Sequence, residues 1–213
     1  MPEEKKEIER RFVQITQRAA GDEENPIIEG DAAVFNKETQ IGDWFREKIR
    51  MGAFSRVLSE KPDVIASYNH NWNVVLGRTT AGTLKLEETL TGLRYSAAIN
   101  PKDTEAMNVY AKVKRGDISQ ASFAFTVRRE EWTKPASKKE LALREVIEVD
   151  KLFDVGPVAF GAYPQASAQA RSLAETLQHE EPNPTPQAES SGSEEAVKAR
   201  QAARRRTLEL LDA

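Results

Sequence analysis

Arg115-Gly116-Asp117-Ile118-Ser119-Gln120-Ala121-Ser122-Phe123-Ala124-Phe125-Thr126-Val127-Arg128 joins a helix stop to a strand. Upstream, Asp103 suits a helix N-cap, Ala106, Tyr110 and Val113 form one stripe at helical spacing, and Gly116 sits where a C-terminal cap belongs. From Ile118 onward, side chains should alternate between two faces. Ser119, Ala121, Phe123, Phe125 and Val127 read as the core face. Ile118, Gln120, Ser122, Ala124 and Thr126 read as the other. Ser122 then projects away from the phenylalanines, between polar Gln120 and small Ala124, where another molecule could reach its hydroxyl. Ser119 points inward by the same count and is the weaker nucleophile candidate.

Working outward, Val13 and Ile15 alternate with polar residues in an expected first strand, and Ile27–Phe35 reads as a second. Gly52-Ala53-Phe54 opens a short helix toward Leu58. Val64–Tyr68, Thr83–Leu86 and Leu93–Ile99 read as strands, with turns at Gly82 and Thr91-Gly92. Val146–Leu152 and Val155–Phe160 follow the quoted run. Strands at this spacing, without repeated βαβ units, predict an α+β domain: a mainly antiparallel barrel or sheet with a few surrounding helices. No internal repeat is present.

Composition changes near residue 180. The stretch from Glu181 to Ala213 opens with Pro182, Pro184 and Pro186, passes through Ser190-Ser191-Gly192-Ser193, and holds few large apolar residues. Such a segment buries too little surface to offset the entropy of ordering it. The expected organisation is a domain at 1–165, a connecting helix at 166–180, and a flexible linker with a short charged helix at 181–213. The linker is 181–192, and the helix starts at Ser193 and carries Arg204-Arg205-Arg206. That triplet fits a solvated face or a docking peptide for an acidic partner.

The chain of 213 residues has no cysteine and two histidines, His70 and His179. Disulfides, thiolate nucleophiles and cysteine-ligated metals are therefore excluded, and a three-histidine zinc site is too. A formal charge of −3 argues against a strongly basic nucleic-acid binder. No apolar run approaches the ~18 residues of a membrane span. The charged N-terminal residues lack the apolar core of a secretory signal, which points to a soluble intracellular protein.

Three segments could carry chemistry. His70 ends a strand within Ser67-Tyr68-Asn69-His70-Asn71-Trp72, at a loop edge of the kind that displays functional groups. Ser122 lies on the non-core strand face. In Arg144-Glu145-Val146-Ile147-Glu148-Val149-Asp150, Glu148 and Asp150 share a face and could orient a histidine, because a carboxylate beside imidazole sets its tautomer. Taken alone, each segment also fits an ordinary surface. No metal-ligand spacing, phosphate loop, cofactor motif or Gly-x-Ser-x-Gly elbow appears.

The order of motifs resembles the prohead (capsid maturation) serine protease family of tailed bacteriophages. It runs through Gly30-Asp31-Ala32-Ala33-Val34-Phe35-Asn36, Phe45-Arg46-Glu47-Lys48-Ile49 and Gly52-Ala53-Phe54. Asn69-His70, Leu76-Gly77-Arg78-Thr79, Gly82-Thr83-Leu84 and Gly92-Leu93 follow. The strongest piece is Arg115 to Phe125, and the series closes with Phe153-Asp154-Val155-Gly156-Pro157-Val158-Ala159-Phe160 and Ala162-Tyr163-Pro164. Each piece is weak alone; their shared order over residues 10–165 is specific.

The resemblance implies a fold similar to the herpesvirus assemblins, β-barrel serine proteases surrounded by helices. It places His70 and Ser122 in the active site, with a third member from the strand after the serine. Glu148 is the choice by spacing, then Asp150, then Glu145. Arg128 or Arg129 would help at the oxyanion. Ala124 stands where the family commonly has glycine, and Gly156, where serine is usual, falls outside the expected chemistry. The implied activity is a serine endopeptidase without cofactor, cutting scaffold protein or the scaffolding segment of the major capsid protein, and itself, inside the procapsid in the host cytoplasm. The partners are those proteins, with no membrane or nucleic acid, and homo-oligomerisation stays open. The 181–213 segment then reads as a removable tether. The rival reading is a scaffold-like assembly protein that cuts little, which need not keep a Ser122–His70 pair.

Overall fold

A computed structural model describes residues 6–14, 17–137, 139–161 and 166–179, all within one unit, Met1–Glu180. The linker and charged helix expected over 181–213 lie outside the described residues, as do Ile15 and Ala162–Pro164. In chain order the strands are β1 (Glu9–Val13), β2 (Arg18–Ala20), β3 (Ile27–Val34), β4 (Thr39–Ile41), β5 (Phe45–Ile49), β6 (Ile65–Tyr68), β7 (Asn71–Arg78), β8 (Leu84–Glu88), β9 (Gly92–Ala98), β10 (Gln120–Thr133) and β11 (Leu143–Val158). The helices are α1 (Ser55–Ser59), α2 (Thr104–Arg115) and α3 (Ala168–His179).

Helix α2 forms for the reasons its sequence states. The Asp103 carboxylate accepts from the backbone N–H groups of Glu105 and Ala106, satisfying two donors that have no partner within the helix. Gly116 ends the helix at φ 88°, a left-handed conformation that is cheap only without a Cβ. The stripe Ala106, Val109, Tyr110 and Val113 is buried.

Strand β10 begins at Gln120, two residues later than the alternation suggests. Ile118 is consequently buried and Ser119 exposed, the reverse of their expected faces. Within the strand Phe123 and Phe125 stack at 4.8 Å in the core, and Phe123 meets Phe54 edge-on at 5.8 Å. The opposite face is not open to solvent: Ser122, Ala124 and Thr126 are all buried. The two short strands expected over 146–160 are one 16-residue strand, β11.

Of the antiparallel barrel or sheet expected, the pairing gives open sheets, and the barrel is corrected. Seven strands form one sheet, in the order β1-β10-β11-β5-β4, with β6 pairing β11 and β7; β2-β3-β9-β8 form a second. Neither sheet closes. β5 lies parallel to β11 at Leu143–Val146 and β6 lies parallel to it at Asp154–Val155, so the larger sheet branches along β11 instead of curling shut. The remaining pairings are antiparallel.

β5 was not legible because its buried face is Phe45, Glu47 and Ile49. Glu47 breaks the apolar alternation, yet it belongs inside. Its oxygens take Arg11 Nε at 2.5 Å and Arg144 Nη1 at 3.0 Å, while Glu9 takes the other side of both arginines. This buried network ties β1, β5 and β11 together.

Candidate active site

Three elements converge on Ser122. The first is the β10–β11 ladder, whose register sets Ser122 opposite Gly156 and Ala124 opposite Asp154. Directly opposed residues of an antiparallel pair share a face. Asp154 therefore rises on the Ser122 side of the sheet.

The second is the β6–β7 hairpin. Tyr68 pairs with Asn71, leaving Asn69-His70 as a two-residue loop with φ of 54° and 57°. Two successive left-handed residues define the type I′ turn that matches strand twist, and asparagine tolerates that conformation well. The loop is pinned to the end of β11. Asn69 N–H donates to the Pro157 carbonyl at 3.1 Å, and Asn69 Oδ1 accepts from Ala159 N–H at 2.9 Å.

Gly156 lets the hairpin come this close. Its φ is 151°, and a Cβ there would lie 2.2 Å from the Ser67 carbonyl oxygen of β6. Far from lying outside the site, Gly156 sets the distance between the histidine-bearing hairpin and the serine-bearing strand.

The result is a continuous hydrogen-bonded chain. Ser122 Oγ lies 2.5 Å from His70 Nε2, and His70 Nδ1 lies 2.6 Å from Asp154 Oδ1. The second oxygen, Oδ2, accepts from the indole N–H of Trp72 at 2.5 Å. Asp154 has no exposed surface and Ser122 is 4% exposed. A carboxylate at Nδ1 selects the tautomer protonated there, which leaves Nε2 free to accept the serine proton. The hydroxyl also lies 2.8 Å from the Arg11 carbonyl oxygen of β1, so one proton has two acceptors.

The carboxylates expected from spacing stand elsewhere. Glu148 is held by Arg56 Nε at 2.5 Å and faced by Arg128 at 3.4 Å. Asp150 takes Lys6 at 3.1 Å, and Glu145 takes Lys48 at 2.6 Å. Glu148 is six residues along β11 from Asp154, roughly 20 Å in a strand. Glu148 therefore stands as an ion-pair residue opposite Arg129, midway along the β10–β11 ladder and away from the end that carries Ser122 and Asp154. Arg128 is likewise six residues, roughly 20 Å, from Ser122, too far to reach an oxyanion formed there.

Asp154 and Trp72 were missed as site residues. The available signal for Asp154 was a lone charge in the apolar run Leu152-Phe153-Asp154-Val155-Gly156-Pro157-Val158. A carboxylate buried in such a run needs a partner. Among the described residues no group of three or more His, Asp or Glu is placed to hold a metal ion, and no helix is long and apolar enough to cross a membrane.

A serine, an imidazole and a buried carboxylate in series are the arrangement on which serine hydrolases are built. The family model of caudovirus prohead serine proteases matches residues 13–179, and the chain belongs to that family of phage capsid-maturation peptidases. No curated protein and no solved structure matches the chain.

Proposed function

We propose that this chain is a serine endopeptidase in which Ser122 is the nucleophile, His70 the general base and Asp154 the carboxylate that orients the imidazole and stabilises its charged form. The observation that carries the reading is the unbroken Ser122–His70–Asp154 hydrogen-bonded chain. Ser122 Oγ attacks a peptide carbonyl carbon as its proton passes to His70 Nε2. The imidazolium formed is stabilised by Asp154 and returns the proton to the leaving amine. Water, deprotonated by the same imidazole, then cleaves the acyl-enzyme ester.

Membership in the prohead protease family supports the site of action and the substrates: scaffold protein or the scaffolding segment of the major capsid protein, inside the procapsid. We read self-cleavage as part of the same activity, with 181–213 as the segment removed. A scaffold-like protein that cuts little has no need of a buried carboxylate held behind the histidine.

The test is coexpression with the capsid protein of the same phage, followed by mass spectrometry of both chains. Processed capsid protein and trimming of this chain are expected. Ser122→Ala and His70→Ala should each abolish both while the domain stays folded. Unchanged processing in Ser122→Ala would remove the nucleophile assignment.

A further inference from the structure

Trp72 stands on β7, two residues past His70, and is 49% exposed. A tryptophan kept for packing is expected to bury most of its ring. Here half the residue is in solvent, yet its one polar atom is turned inward onto a carboxylate that has no exposed surface. Among the described residues, the side-chain partners of Asp154 are His70 at Oδ1 and Trp72 at Oδ2. Its charge is thus held by two N–H donors.

We infer that Trp72 is a positioning residue for the reaction, acting on Ser122 through Asp154 and His70; the inference rests on the catalytic reading of those three residues. An ionised carboxylate is expensive to bury, and leaving one of its oxygens unsatisfied costs most of that penalty. The indole N–H meets this requirement at Oδ2. It also fixes the plane of the carboxylate against the imidazole, because the terminal torsion is otherwise broad. With Oδ1 held toward Nδ1, His70 keeps its proton on that nitrogen and presents a bare Nε2 to Ser122. Without the indole donor, Asp154 is free to turn, and the imidazole loses the hydrogen bond that sets the tautomer the serine needs.

The sequence spacing suits this coupling. His70 occupies the second loop position of the β6–β7 hairpin, and Trp72 is the second residue of the strand that leaves it. One hairpin therefore delivers both donors to the two oxygens of one carboxylate on the neighbouring strand.

The experiment uses the full chain in four forms: wild type, Trp72→Phe, a chain with the sulfur isostere benzothienylalanine at position 72, and Ser122→Ala. The isostere keeps the ring's shape and removes only the N–H. Two quantities are measured: the rate at which a fluorophosphonate probe labels Ser122, and the downfield proton resonance of His70 Nδ1–H. With only two histidines in the chain, that resonance is readily assigned.

Both Trp72 variants are expected to label about tenfold to a hundredfold more slowly, the range for losing a hydrogen bond to a charged group. Both should also shift or broaden the Nδ1–H resonance. The inference is overturned if the isostere labels at the wild-type rate with the resonance unmoved. If Trp72→Phe fails to fold, the isostere decides alone. If Ser122→Ala still takes the probe, the catalytic reading falls, and the resonance alone decides whether Trp72 governs the Asp154–His70 pair.

Discussion

Asp154 stands opposite Ala124 across the β10–β11 ladder, so its carboxylate emerges on the same face of the sheet as Ser122 and meets His70 at 2.6 Å. Asp154→Asn should keep the fold and the side-chain volume while presenting an amide to Nδ1. The wrong tautomer then faces the serine, and cleavage should fall on the order of 10³–10⁴-fold. Glu148→Gln should leave the rate near that of wild type, because Glu148 answers to Arg56. Processing of coexpressed capsid protein compares the two; a dead Glu148→Gln beside an active Asp154→Asn would reverse the assignment.

Gly156 and Ser67 give a second prediction. A methyl group at 156 would sit 2.2 Å from the Ser67 carbonyl oxygen, in a backbone conformation that side chains rarely adopt. Gly156→Ala should cost roughly 1–3 kcal/mol by overpacking, read as a lower urea midpoint. It should also slow probe labelling of Ser122, since β6 must retreat and carry His70 with it. A variant as stable and as reactive as wild type would show that the hairpin position does not depend on this contact.

The buried charges predict an asymmetry between two arginine substitutions. Arg144→Met strands Glu9 and Glu47, both 3% exposed at the side chain, without one of their cations. Breaking a buried pair from one side costs about 3–5 kcal/mol. Arg18→Ala breaks an exposed pair with Glu29 and should cost less than about 1 kcal/mol. Chemical denaturation of both variants checks the contrast, and similar losses would mean the network contributes no more than a surface bridge.

Acid sensitivity should trace to the same network. Burial pushes the Glu9 carboxyl up, but the hydrogen bond from Arg144 and the charges of Arg11 and Arg144 outweigh it and hold it below its ordinary value. A carboxyl depressed in the folded state adds stability that is fully present above its unfolded value, roughly 4.3. That contribution is lost as the pH falls through the lower folded value. Thermal melts from neutral pH downward should show a flat region and then a falling Tm. In Glu9→Gln the neutral Tm should already be lower and the acid fall shallower. An unchanged slope in that variant would assign the acid response to other carboxylates.

Local patterns carried the parts of this molecule that depend on neighbouring residues. Helix α2 was readable to its caps because Asp103, the apolar stripe and Gly116 act within a few residues of one another. The alternation of β10 set Ser122 on the face opposite Phe123 and Phe125, but did not show that this face is buried too. Strand β5 was not readable, because Glu47 is buried only by virtue of Arg11 and Arg144, which come from two other strands.

The sequence by itself determined an α+β chain, a serine on a strand, a histidine at a turn, and the absence of cysteine chemistry. The family resemblance added the expectation that the histidine's partner is a carboxylate on the strand that follows the serine. Which carboxylate was decided only by the tertiary structure. Counting along β11 favours Glu148, but the antiparallel register and its bulges set Asp154, not Glu148, beside Ala124 and Ser122. A close parallel approach of β6, permitted by Gly156, then lowers His70 onto both. Register is a property of two strands together, so no periodicity within one of them contains it.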